Sequence, residues 1–118
     1  MQNNRSPMAL RELTFGCLHL DLVKRRATLS GSPLSLKPQE FELLAFLAKN
    51  ADHVVNREMI TQALRGTSYD GVDRSIDLRI SYLRKKFQDN ITDPYRIKTI
   101  RSKGYIFIST SWNTQQTP

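Results

Sequence analysis

Residues 72 to 87 read VDRSIDLRISYLRKKF, and the spacing within this stretch decides the fold. Ile76, Ile80, Leu83 and Phe87 recur at +4, +7 and +11, so at 100° per residue they fall in one narrow stripe along a helix. Arg74, Leu78, Ser81, Tyr82 and Lys85 lie opposite that stripe, with Ser75, Arg79 and Lys86 along one shoulder. The outward face is therefore basic, polar and aromatic at once. A plain amphipathic helix would carry solvated Lys and Arg there, and acidic residues near its start with basic ones near its end would suit the helix dipole. Leu78 and Tyr82 beside short hydroxyls fit that reading poorly. A face laid into a major groove uses such a mixture, because Arg reads guanine, hydroxyls meet phosphates or bases, and apolar groups meet thymine methyls.

Downstream, YRIKTI at 95 to 100 alternates Tyr95, Ile97 and Thr99 with basic Arg96 and Lys98, and YIFI at 105 to 108 is rich in strand formers. Arg101-Ser102-Lys103-Gly104 joins the two runs as the tip of a predicted hairpin. Two cations and a glycine at a tip can approach a phosphate backbone or enter a narrow minor groove. The competing reading is a charged turn that only keeps the hairpin soluble. The chain has 18 Lys plus Arg against 11 Asp plus Glu, a net charge of +7. Residues 74 to 103 hold nine of those cations against three carboxylates and so supply +6 of the total. Such a concentrated excess makes a field that attracts polyanions, and the helix and the hairpin that carry it are neighbours in sequence.

Upstream, Asn56 reads as the cap of a second helix, with Glu58 near its positive end and Met59, Ile60, Ala63 and Leu64 on one apolar side; Arg65 and Gly66 close it. GTSYDG at 66 to 71 reads as a loop. Pro38 opens a first helix in which Phe41, Leu43, Leu44, Phe46, Leu47 and Ala48 fall nearly all round, as a buried central helix requires; it ends near Asn50, and Lys37 offers no capping side chain. Before it, the skipping pairs Leu13/Phe15, Leu18/Leu20, Ala27/Leu29 and Leu34/Leu36, with Ser30-Gly31-Ser32-Pro33 as a hairpin turn, predict an antiparallel sheet of three or four strands. Residues 1–10 read as a flexible leader, 11–110 as one folded domain and 111–118 as a polar tail.

The composition excludes several classes. No apolar run approaches the roughly 18 residues of a membrane helix, and the N-terminal stretch has neither a secretory nor a transit pattern. Cys17 is the only cysteine, so no internal disulfide or multi-cysteine metal cage forms, and a cytoplasmic location is expected. His19 and His53 lack metal-ligand spacing, and neither a phosphate-cradling glycine loop nor a nucleophile elbow is present, so no enzyme, metal or cofactor is expected. Readers of RNA expose several aromatics on a sheet or a GxxG loop, and neither is evident.

Sheet, helix, helix, loop, basic helix and basic hairpin is the order of a winged helix-turn-helix of the α+β class. The stretches LHLD (18 to 21), LSLKPQEFELLAFL (34 to 47), VVNRE (54 to 58), DRSIDLRISYLRKKF (73 to 87) and TIRSKGY (99 to 105) resemble the effector domain of OmpR/PhoB-type response regulators. The resemblance implies sequence-specific binding of double-stranded DNA to control transcription. The third helix would lie in the major groove and the wing in the adjacent minor groove, with two copies on tandem half-sites. Carried over by position, Arg74, Ser75, Arg79 and Arg84 match residues that contact phosphates or the groove edge, while Leu78 and Tyr82 match base-facing positions. Arg101 matches the minor-groove arginine of the wing, and Thr99 a wing backbone contact. Lys85, on the outward face, joins the DNA-binding set, and Lys103 is a phosphate partner by charge; Tyr105 belongs to the wing core. Two departures stand out: Tyr82 occupies a position often held by Arg, and Ser102 one where Gly is common. The resemblance further implies a receiver domain, phosphorylated through a cognate sensor kinase, that does not fit within these residues, so an isolated effector domain is expected. GTSYDG corresponds to the segment that touches RNA polymerase in some relatives. The rival reading is a protein-binding winged helix that uses the third helix as its interface.

Overall fold

The computed structural model describes residues 11–64, 73–89 and 95–112. A four-stranded antiparallel sheet comes first, β1 Glu12–Phe15, β2 Leu18–Asp21, β3 Arg26–Leu29 and β4 Ser32–Pro33, paired in sequence order. Alternation puts Leu18, Leu20 and Ala27 in the core, with Leu13, Phe15 and Leu29 packed against it. The last pairs are Thr28 with Pro33 and Leu29 with Ser32, so the turn is the two residues Ser30 and Gly31, both at positive φ (53° and 83°). That conformation matches the twist of a tight hairpin. The alternating run expected at Leu34 and Leu36 is not in the ladder. Pro33 has no N–H to continue the pairing, and after one more bond, from Leu34 N to Ala27 O (2.8 Å), the chain leaves the sheet for the first helix.

Helix α1, Pro38–Lys49, carries the centre of the core: Leu43 and Leu44 are fully buried, and Leu47 nearly so. Lys37 N–H donates to Glu40 Oε1 (2.8 Å), so a buried carboxylate within the helix supplies the cap that the Lys37 side chain cannot. Helix α2, Arg57–Leu64, is capped as the sequence implies, with Met59 N–H donating to Asn56 Oδ1 at 2.8 Å. Val55 and Ile60 flank this cap, both buried, in the positions of a hydrophobic staple. Only Ile60 and Leu64 of α2 face the core, whereas Met59 and Ala63, expected on the same side, are exposed. A stripe of +4 spacing is narrow, and residues one position earlier are turned about 100° away from it. The proposed close at Arg65 and Gly66 and the 66–71 loop lie outside the described residues.

Helix α3, Asp73–Lys86, buries its predicted stripe completely: Ile76, Ile80, Leu83 and Phe87 have no exposed surface. Strands β5 Ile97–Ile100 and β6 Gly104–Phe107 form the wing, and Val55 bridges to Tyr105 through two backbone hydrogen bonds of 2.8 and 2.9 Å. The wing is thereby tied to the segment that caps α2.

Two sequence expectations are corrected at the C-terminal end. Trp112, read as part of the polar tail, is fully buried at the end of a 3₁₀ turn, Ser109–Trp112. Its ring stacks on Phe107 (5.2 Å) and meets Phe87 edge-on (4.9 Å), and a large ring of this kind outweighs the polarity of its neighbours. Arg96, counted with the exposed cations, is buried. Its guanidinium lies 4.8 Å from the Trp112 ring and 5.2 Å from that of Tyr95, and Nη1 donates to Phe87 O (2.9 Å). A delocalised cation among rings and a carbonyl closes this corner of the core instead of contributing to the surface field.

Candidate nucleic-acid interface

The outward face of α3 holds two large side chains that a solvated helix has no reason to expose, Leu78 at 53% and Tyr82 at 40%. Ser81 and Lys85 are exposed beside them, and Tyr82 and Lys85 share a cleft with Lys37, Glu40 and Lys86. Lys86 turns back to donate to Ser35 O and lies 3.8 Å from the buried Glu40 carboxylate, so it anchors α3 to the entry of α1. Arg79 is half-buried, and its Nε has no hydrogen-bond partner. Arg74 and Ser75 stand in the first turn of α3, their side chains outside the described residues.

The wing tip is the second exposed basic element. Arg101, Ser102 and Lys103 are all exposed, and Lys103 N–H donates to Ile100 O (2.8 Å) to close the turn. Ser102 sits at φ 65°, so the serine adopts the left-handed conformation that glycine would take without cost. Gly104 is at φ 140°, and a Cβ there would stand 2.0 Å from Val55 O. Only a glycine lets the wing approach the α2 cap this closely.

Polar contacts hold the wing against α3 at its base and along its length. The Asp89 carboxylate, buried just past the helix, accepts from Tyr95 N (2.9 Å), Arg96 N (3.2 Å) and Ile97 N (3.1 Å), and so fixes where β5 begins. Arg84 is half-buried and faces the wing, donating through Nε (3.0 Å) and Nη2 (2.7 Å) to Ile97 O and through Nη2 to Thr99 Oγ1 (2.8 Å). Burial lowers its pKa from the ordinary arginine value. Two residues that sequence matching assigned separately, Arg84 and Thr99, are thus bonded to each other.

One turn into α3, Asp77 gathers a third contact. Arg57 of α2 forks onto it with Nη2 at 2.8 Å from Oδ1 and 3.0 Å from Oδ2, and Nε 3.1 Å from Oδ1. The Tyr105 hydroxyl of β6 donates to the same Oδ1. The Tyr105 ring has the Arg57 and Arg84 guanidinium groups at 6.0 and 5.9 Å. Burial, then the hydrogen bond and charge of Asp77, push the Tyr105 phenol up to about 12, and the same carboxylate raises the pKa of Arg57. Sequence reasoning missed Asp77, Arg57 and Asp89 as parts of the site. The available signal was the sign of Asp77, a carboxylate inside a helix otherwise chosen for cations.

The family model described as "Transcriptional regulatory protein, C terminal" matches residues 31–107, from the β3–β4 turn through the end of the wing. The chain belongs to this family. As in an OmpR/PhoB-type effector domain, its architecture is a winged helix, with three α-helices between two antiparallel sheets among the described residues. Among curated members it is 48% identical over 102 residues to the transcriptional regulatory protein RstA of Escherichia coli K12, covering 86% of this chain and 43% of that one. The chain thus spans less than half the length of that relative. Among solved structures it matches the Klebsiella pneumoniae RstA DNA-binding domain in complex with the RstA box, with a TM-score of 0.76 and 45% identity over 84% of this chain and 98% of that one. The C-terminal effector domain of BfmR from Acinetobacter baumannii matches with a TM-score of 0.70 and 45% identity, over 84% and 91%. Among the described residues, no helix of this family member is long and apolar enough to cross a membrane.

Proposed function

We propose that this domain binds double-stranded DNA sequence-specifically and controls transcription as the effector part of a two-component response regulator. The exposed pair Leu78 and Tyr82 on a basic helix carries the reading, and a cation-bearing wing docked to that same helix supports it. In this reading α3 enters the major groove with Leu78 and Tyr82 at base edges, and Arg79, Lys85 and Lys103 neutralise phosphates. Arg74 and Ser75 open the helix toward the backbone, and Arg101 enters the adjacent minor groove. Arg84 and Thr99 hold the wing at the angle this requires, with Thr99 at the edge of the contact. Two copies occupy tandem half-sites. In the full-length protein a receiver domain phosphorylated by a cognate sensor kinase raises the effective concentration of the two modules, and the loop after α2 offers RNA polymerase a contact. The protein works in the cytoplasm, needs no cofactor or membrane, and catalyses nothing.

Selection from random duplexes at roughly physiological salt tests the reading. A directly repeated motif with half-sites about one helical turn apart is expected, with affinity falling steeply as salt rises. Recovery of the input composition, together with a shallow salt dependence, would favour a protein-binding winged helix.

A further inference from the structure

An acidic side chain on the face offered to a polyanion is a liability, because its repulsion weakens every contact with phosphate regardless of sequence. Asp77 is such a residue. By helical angle it lies close to Arg74 and Ser81, and its side chain is 48% exposed, so burial does not explain it. Its partners come from two other elements, Arg57 at the start of α2 and Tyr105 in β6. Two turns along the same helix, Arg84 makes a second attachment, to β5. Two points about 10 Å apart on a helix fix both the position and the tilt of whatever they hold, which one point cannot do. Lying on β6, Tyr105 is also the residue bridged to Val55, so α2, α3 and the wing converge here.

We propose that Asp77 is a positioning residue that sets the span between α3 and the Arg101 tip, lowering non-specific affinity while fixing the two-groove register that gives specificity. The proposal rests on the DNA-binding reading above, but the joint itself exists without DNA. Asn at this position keeps the shape and removes the charge that grips Arg57.

The test compares wild type with Asp77→Asn on the selected duplex, on an unrelated duplex of equal length, and in free solution. On the unrelated duplex Asp77→Asn is expected to bind as well as wild type or a few-fold better, while affinity for the selected duplex drops about tenfold. The loss caused by Arg101→Ala should shrink in the Asp77→Asn background, since a wing out of register no longer delivers its arginine. Amide exchange at Val55 and Tyr105 should quicken about tenfold in the free variant while exchange across β1–β4 stays as in wild type. Tyr105→Phe, which keeps the ring and the Asp77 charge and loses only the hydroxyl, is expected to leave binding to the unrelated duplex unchanged and to move the other quantities the same way by less. Parallel gains on both duplexes would reduce Asp77 to a repelling charge and overturn the proposal. Parallel losses with uniformly faster exchange would reduce it to ordinary stability and overturn it equally. If wild type selects no motif while exchange at Val55 and Tyr105 still quickens, the joint stands and the DNA reading falls. If wild type selects its motif and Asp77→Asn changes neither specificity nor exchange, the joint falls alone.

Discussion

The hairpin of β3 and β4 and the wing of β5 and β6 each turn through a glycine at positive φ, but for different reasons. A Cβ on Gly31 would meet nothing within 4 Å, so that glycine answers only to its own φ of 83°. A Cβ on Gly104 would collide with the backbone of Val55, so that glycine answers to another part of the chain. The first hairpin is closed by local geometry and by leucines packed beneath it. The wing is placed by polar groups outside it, Asp89 nearby at its base and, from farther along the chain, Arg84 along β5 and Asp77 and Val55 against Tyr105. A scaffold strand can be specified by its neighbours in sequence, whereas an element that must keep a set distance from α3 needs contacts that span the fold.

Gly104→Ala should break this contrast most severely. The added methyl displaces Val55 from the α2 cap, and a loss of about 3 kcal/mol or more in unfolding free energy by urea titration is expected. A loss below about 1 kcal/mol would mean the wing does not depend on this approach. Arg101→Ala should leave the urea midpoint unchanged while weakening binding to the selected duplex by about 1 to 3 kcal/mol, measured by fluorescence anisotropy; unchanged affinity would remove the tip from the interface. Gly31→Ala is expected to cost about 1 kcal/mol of stability, the strain of a left-handed alanine, with no effect on DNA binding. Equal damage from Gly31→Ala and Gly104→Ala would erase the distinction between the hairpins. The smallest effect is expected from Ser102→Gly. Relief of roughly 1 kcal/mol of left-handed strain is partly offset by the greater freedom of the unfolded chain, leaving a gain of about 0.5 kcal/mol that calorimetry would register as a slightly higher Tm.

Legibility in the sequence follows the same division. Elements whose burial is periodic were readable: the stripe of α3, the all-round burial of α1, the Asn56 cap and the first three strands. Met59 and Ala63 misled because one apolar neighbour beside a narrow stripe looks, by type alone, like part of it. Trp112 misled because seven of its companions in the last eight residues are polar or proline, and a composition average hides one ring that fills the core. On the proposed interface, Leu78 and Tyr82 are exposed as their helical spacing implied, and Arg101 and Lys103 as their place at the hairpin tip implied. What spacing could not give was the pairing between elements. Arg84 and Arg96 count as two cations in any sum of charge, yet one holds a carbonyl and a hydroxyl of the wing and the other lies beneath an indole. Asp77, Arg57 and Tyr105 are separated by 20 and 28 residues, and only the folded chain brings them to one point.

Trp112 has a further consequence, for the order in which the molecule is completed. It is the single tryptophan, it comes after the wing in the chain, and its carbonyl accepts from Cys17 N (2.6 Å) in the turn between β1 and β2. Until this residue docks, Phe87 and Phe107 lack the ring that packs against both of them. The last ring in the chain seals the first sheet to the last, and its own fluorescence reports that closure.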